Sequence, residues 1–189
     1  MNFHNHSDLK DQHAFFGASK YSWLNYDTEK AIDVYLNHLA TLRGTQLHEF
    51  AATCISLRQK LPDLPKTLNM YVNDAIGFSM KPEVILYFSE FFFGTADAVY
   101  FSPKTKVLRI HDLKTGMTPA KIDQLLVYVA LFCLEYSYKP SELDIYLCIY
   151  QFDQKFEYKP TVDEIVPIID KIVTFDKALK NTRREEIGY

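Results

Sequence analysis

Asp112 and Lys114 stand two residues apart near the end of "VLRIHDLKTG", Val107–Gly116, a run that alternates like a half-buried strand. Asp97 lies in an earlier strand-like run, "SEFFFGTADAVYF", and the polar stretch "SPKTK" between the two predicts a hairpin. A loop symmetric about Lys104 and Thr105 pairs Val99 with Ile110 and Phe101 with Leu108, apolar against apolar. The same register sets Asp97 opposite Asp112 and Thr95 opposite Lys114. Directly opposed carboxylates have Cβ atoms about 4.5–5.5 Å apart, which is repulsive without a cation. Hard oxygen ligands of this kind suit Mg²⁺ or Mn²⁺ rather than zinc, and Lys114 offsets part of the same charge. The competing reading is an edge hairpin whose solvated face happens to carry two acids and a lysine.

The next segment adds candidates. "PAKIDQLLVYVALFCLEY" predicts a strong helix with Pro119 near its first turn, and Gln124 and Tyr128, spaced i,i+4, share a face of it. Each alone reads as an ordinary surface amide and a half-buried aromatic. Their position directly after "DLKTG" lets the helix overhang the end of the strand. His48 opens a helical stretch, "TQLHEFAATCISLRQKL"; a lone histidine on an apolar helix is more often a core residue than a ligand, and Glu49 points away to solvent. His4, His6 and His13 match no common metal-site spacing and belong to an N-terminal segment, residues 1–18, expected to be flexible or peripheral.

The elements that must carry these residues follow from periodicity. A helix begins at an Asp27 or Thr28 cap and closes at Gly44, a second runs from Thr45 until Pro62 and Pro65 end it, and "LPKTLNMYVNDAIGF" forms a third. "EVILYF" reads as a strand after Pro82, "LDIYLCIYQF" as a buried strand, and Val162 to about Lys180 as a final helix before a charged tail. This order predicts an α/β fold, a short mixed central sheet flanked by helices, in a single domain of 189 residues.

Composition narrows the function classes. The net charge of −3 carries no global polyanion-binding signal, so any nucleic-acid contact has to be local or metal-assisted. Cys54, Cys133 and Cys148 are widely spaced in apolar segments, which predicts buried thiols and no disulfide framework. The N-terminal run has no basic start followed by an apolar core, and nowhere do about 18 apolar residues run uncharged, so neither a secretory signal nor a membrane span is expected, and a cytoplasmic location is.

In order, "GTQLHE", the Glu before "FFGTADAVYF" with that run, "HDLKTG" and "QLLVY" resemble the PD-(D/E)XK nuclease superfamily, in particular its RecB-like branch with phage-borne and CRISPR-associated exonucleases. The resemblance runs from about Gly17 to the last helix. It implies a restriction-endonuclease-like core, with His48 as the metal-contacting histidine, Asp97 and Asp112 as the two metal-binding acids, Lys114 as the motif lysine, and Gln124 and Tyr128 as the helix motif lining the site. Glu83, placed before the first strand, matches an acid outside that set. Ala96 stands where the motif has proline. Some relatives hold an iron–sulfur cluster through four cysteines; three are present here, so no cluster is expected.

The resemblance and the residue chemistry together imply one or two Mg²⁺ or Mn²⁺ ions on Asp97, Asp112, the Leu113 carbonyl and His48. The implied function is a metal-dependent DNA nuclease, an exonuclease of recombination, repair or phage DNA metabolism. DNA is the expected partner, with room for a homo-oligomer and a recombination partner protein. The alternative is a non-catalytic nucleic-acid-binding or assembly protein that keeps the nuclease fold.

Overall fold

The computed structural model describes residues 4–187. Its contacts divide the chain into a small unit ending at Gly44 and a larger one beginning at Thr45. The small unit holds two 3₁₀ segments, Ser7–Leu9 and Ala18–Asn25, and the start of helix α1, Thr28–Ser56. The Asp27 carboxylate accepts the Lys30 N–H at 2.7 Å, making it the cap that the sequence suggested. Phe15 packs on Tyr35 and His38, while Phe16 lies against Trp23 and Tyr26. Residues 4–16 are exposed, and Met1, Asn2 and Phe3 of the expected peripheral segment lie outside the described residues.

The expected helix stop at Gly44 is absent: α1 continues to Ser56. A glycine inside a helix costs only about 1 kcal/mol, and the apolar spacing resumes at once in Leu47, Phe50 and Ala51.

The larger unit is α/β. Helix α2, Thr67–Gly77, precedes strands β1, Lys81–Ser89, β2, Phe92–Ser102, and β3, Val107–Leu113; helix α3, Asp123–Tyr136, then leads to β4, Asp144–Gln151, β5, Gln154–Tyr158, and helix α4, Val162–Ile187. The five strands lie in chain order, antiparallel except for the β3–β4 pair, which α3 connects as a parallel crossover. The β2–β3 register matches the expected one, with Val99 on Ile110 and Phe101 on Leu108.

Two apolar layers hold the sheet. On one face, Leu108, Ile110, Leu147 and Ile149 pack with Leu125 and Val129 of α3 and Ile165 and Ile172 of α4. On the other, Leu113, Cys148 and Tyr150 meet Cys54 and Ile55 of α1 and Tyr71, Val72 and Ala75 of α2. All three cysteines are free and buried. Among the described residues no helix is long and apolar enough to cross a membrane.

Several boundaries differ from the sequence-based ones. β5 carries no alternation because every residue in it is exposed, and its turn places Phe152 and Asp153 at φ 54° and 57° without the usual Asn-Gly signal. Asp153 is held there by the Thr67 amide and by Lys66. α3 begins at Asp123, so Pro119 lies before the helix instead of in its first turn. α4 runs through the charged tail as far as Ile187, since its arginines and glutamates are good helix formers.

Ile110 is fully buried in the central strand, whereas Ile85 is 61% exposed. Ile110→Ala is expected to lower the urea unfolding free energy by about 2–5 kcal/mol, and Ile85→Ala by no more than about 0.5 kcal/mol.

Candidate metal centre

Three carboxylates form one row across three neighbouring strands. Between the β1–β2 rungs Pro82–Ala98 and Val84–Ala96 the next pair is Glu83 with Asp97, and beyond the last β2–β3 rung, Ala98–His111, the next is Asp97 with Asp112. Neither rung closes. Glu83 adopts a left-handed φ of 51°, a strained conformation for an acidic residue inside a strand. Ala96 and Val99 both join the α3-side core while Ala98 joins the α2 side, so the strand's alternation slips at Asp97. Glu83, expected before the first strand, thus lies within it.

The slip turns the Asp97 carboxylate into a hub. Its Oδ2 accepts the Leu113 backbone N–H at 2.7 Å, replacing the missing ladder bond, and its Oδ1 is 3.4 Å from Nδ1 of His48 on α1. His48, Glu83 and Asp97 each present one potential ligand atom, all within 4.8 Å of one another. Asp112 stands apart from this trio. It is 2% exposed, and Lys114 Nζ lies 3.1 Å from Oδ1 and 3.0 Å from Oδ2. Only the Oδ1 contact has hydrogen-bond geometry, so Oδ2 is buried without a donor.

From Lys114 a chain of polar groups runs back to the sheet. Lys114 Nζ donates to Gln124 Oε1 at 2.8 Å, Gln124 Nε2 donates to the Tyr128 hydroxyl at 3.1 Å, and that hydroxyl donates to the Thr95 carbonyl at 2.6 Å. The i,i+4 pair expected to overhang the strand end therefore does so, although α3 starts later than the sequence suggests. Gly94 makes room for it: a Cβ there would meet the Tyr128 ring at 3.0 Å.

The segment from Lys114 to α3 has no regular structure and depends on Gln151, which is 3% exposed at the end of β4. Its amide donates to the Gly116 and Thr118 carbonyls, both at 2.8 Å, and accepts the Ala120 N–H at 2.9 Å. Sequence reasoning missed Gln151, Gly94 and Tyr71. The one available signal was a polar residue ending an otherwise apolar strand; Gly94 and Tyr71 look like ordinary strand and core residues.

Charge crowding shows in the protonation behaviour. Burial, then the Asp97 charge, pushes the Asp112 carboxyl up to about 6 against the pull of Lys114. Burial and Asp97 likewise raise Glu83. His48 is raised chiefly by its hydrogen bond to Asp97, with the charges of Asp97, Asp112 and Glu83 adding to it. The phenol of Tyr71, 2% exposed, is raised by burial and by the charges of the same three acids. His111, on the same strand as Asp112, points away to the α2 side, where its Nδ1 lies 3.2 Å from the Tyr150 hydroxyl.

These residues fit a divalent cation: the clustered carboxylates of Glu83 and Asp97 and the His48 imidazole offer ligand atoms within 4.8 Å of one another, and one positive charge there relieves their repulsion. No family model matches the sequence, and no curated protein or solved structure matches it either.

A raised pKa means that the folded chain holds the Asp112 proton more tightly than the unfolded chain does. In EDTA, ionisation of Asp112 therefore costs stability as pH rises from about 4 through about 6. Asp112→Asn should match the wild type near pH 4 and exceed its melting temperature by several degrees near pH 7, at about 2–4 °C per kcal/mol. Added Mn²⁺ should raise the melting point of the wild type but not of the variant. Separately, Gln151→Ala should cost about 1–3 kcal/mol and speed hydrogen exchange at the Ala120 amide.

Proposed function

We propose that this chain is a divalent-metal-dependent DNA nuclease of the PD-(D/E)XK kind, with exonuclease action as the resemblance implies. The observation that supports it is the carboxylate row Glu83, Asp97 and Asp112 flanked by His48 and Lys114. A scaffold protein gains nothing from crowding three acids in a sheet, one of them buried and paired with a half-buried lysine.

In this reading His48, Glu83, Asp97, Asp112 and the Leu113 carbonyl would hold Mg²⁺ or Mn²⁺, one ion or two. When bound, the metal acidifies a water and draws charge from a phosphate oxygen. The chain's own residues supply the rest. His48 must give up its proton before its nitrogen can ligate, so its raised pKa makes metal uptake weaken as pH falls. The Lys114 ammonium, steered by Asp112 on one side and Gln124 on the other, is positioned to hold the attacking oxygen and to offset negative charge growing on phosphorus. Tyr128 fixes Gln124, and Gln151 fixes the segment between them.

The overall acidity accords with this role, because the metal and a few lysines cover the phosphates near the cut. Affinity for DNA is then expected to be weak and to fall steeply with salt.

The test incubates the purified chain with linear and covalently closed circular DNA, single- and double-stranded, in Mg²⁺, Mn²⁺ or EDTA. Linear DNA should be degraded only with metal, and Asp112→Ala and Lys114→Ala should each lose about 10²-fold or more. Full activity in either variant removes the assignment, and cutting of closed circles removes the restriction to ends.

A further inference from the structure

A groove of about 490 Å³ opens over the β3–β5 part of the sheet, lined among others by Phe78, Arg109, His111, Tyr146, Glu157 and Lys159. None of these residues belongs to the carboxylate row or to the chain of polar groups leading from it. Arg109 is its distinctive member. The guanidinium carbon lies 4.3 Å from the centroids of both the Phe78 and the Tyr146 rings. Stacking of this kind occupies the flat surface of the group and leaves its N–H edge.

That edge has no carboxylate within ion-pair distance among the described residues. Asp144 is near enough for Arg109 to help hold its carboxyl down, yet its two oxygens are taken by the Tyr146 hydroxyl at 2.7 Å and by Lys159 at 2.5 Å. The Lys159 ammonium sits 4.9 Å from the centroid of the same Tyr146 ring, so one ring anchors both cations. Glu157 is the opposing charge in the groove.

We propose that this groove binds a phosphoryl group, with Arg109 as the two-pronged donor and Lys159 as the second cation. A guanidinium edge matches two oxygens of one phosphate, and the Lys159 ammonium keeps two N–H donors beyond its pair with Asp144. A free mononucleotide and a phosphate of a nucleic-acid strand share this chemistry. The assignment does not depend on the nuclease reading, since the two sites share no residue.

The test titrates the whole chain in EDTA, where the carboxylate row carries no metal, and follows by ¹⁵N NMR the Arg109 Nε–H signal and, in the wild type and every variant, the backbone amide signal of Tyr146 in the groove. The probes are inorganic phosphate, thymidine monophosphate and a short thymidine oligonucleotide without a terminal phosphate. A saturable shift with the first two alone identifies a phosphate-monoester site; a shift with the oligonucleotide that weakens steeply in salt identifies a strand phosphate. Lys159→Gln, at an exposed position, should weaken binding roughly tenfold; Arg109→Lys should do the same by losing the fork, and Glu157→Gln should tighten it. No saturable shift with any probe overturns the proposal, as does unchanged affinity in both Lys159→Gln and Arg109→Lys.

Discussion

Like-charge crowding in the row Glu83, Asp97 and Asp112 is the constraint around which the rest of the larger unit is arranged. Three adjacent strands each bring one carboxylate to the same level of the sheet, and the ordinary ladder would press those side chains together. Both rungs instead open. Glu83 takes a strained backbone, Asp97 trades a strand bond for a side-chain bond to the Leu113 amide, and Asp112 withdraws against Lys114. Even so, Asp112 keeps a buried oxygen without a donor and a raised pKa. Strain, open rungs and a buried acid in one place form the pattern expected where a fold gives up stability for a function.

The surrounding structure keeps that arrangement from relaxing. The carboxylate row sits where two buried layers meet the end of the central strands, so Leu113 and Ile110 cannot shift without disturbing the α2-side and α3-side cores respectively. Lys114 is tied to α3 through Gln124, and α3 is tied to β2 through Tyr128 and the tight contact that Gly94 permits. Gln151 closes the remaining freedom by satisfying three backbone groups of the connection between them. A lysine that would otherwise sample many rotamers is held between two acceptors.

Much of the central layout was legible because it depends on period and pairing. Val99, Phe101, Leu108 and Ile110 alternate so that only one register buries them together, and that register carries Asp97 toward Asp112. Gln124 and Tyr128 share a face for the same reason of periodicity. Gly44 misled because a glycine followed by renewed apolar spacing is a tolerated cost and not a stop. β5 was invisible because an exposed edge strand needs no alternation, and its turn uses Phe152 and Asp153 where glycine or asparagine would normally announce it.

By itself, then, the sequence determined the residue types, the helical and strand periods, and the parity that aligns the acids, all of which are local or reach only across one hairpin. Tertiary structure alone decided that His48 of α1 and Glu83 of β1 meet at Asp97, and that Gln151 and Gly94 support the lysine's partners. It likewise decided that Arg109 stacks on Phe78 and Tyr146. The reason is physical: these contacts join residues far apart in the chain through packing and hydrogen-bond geometry, and neither leaves a period in the sequence to be read.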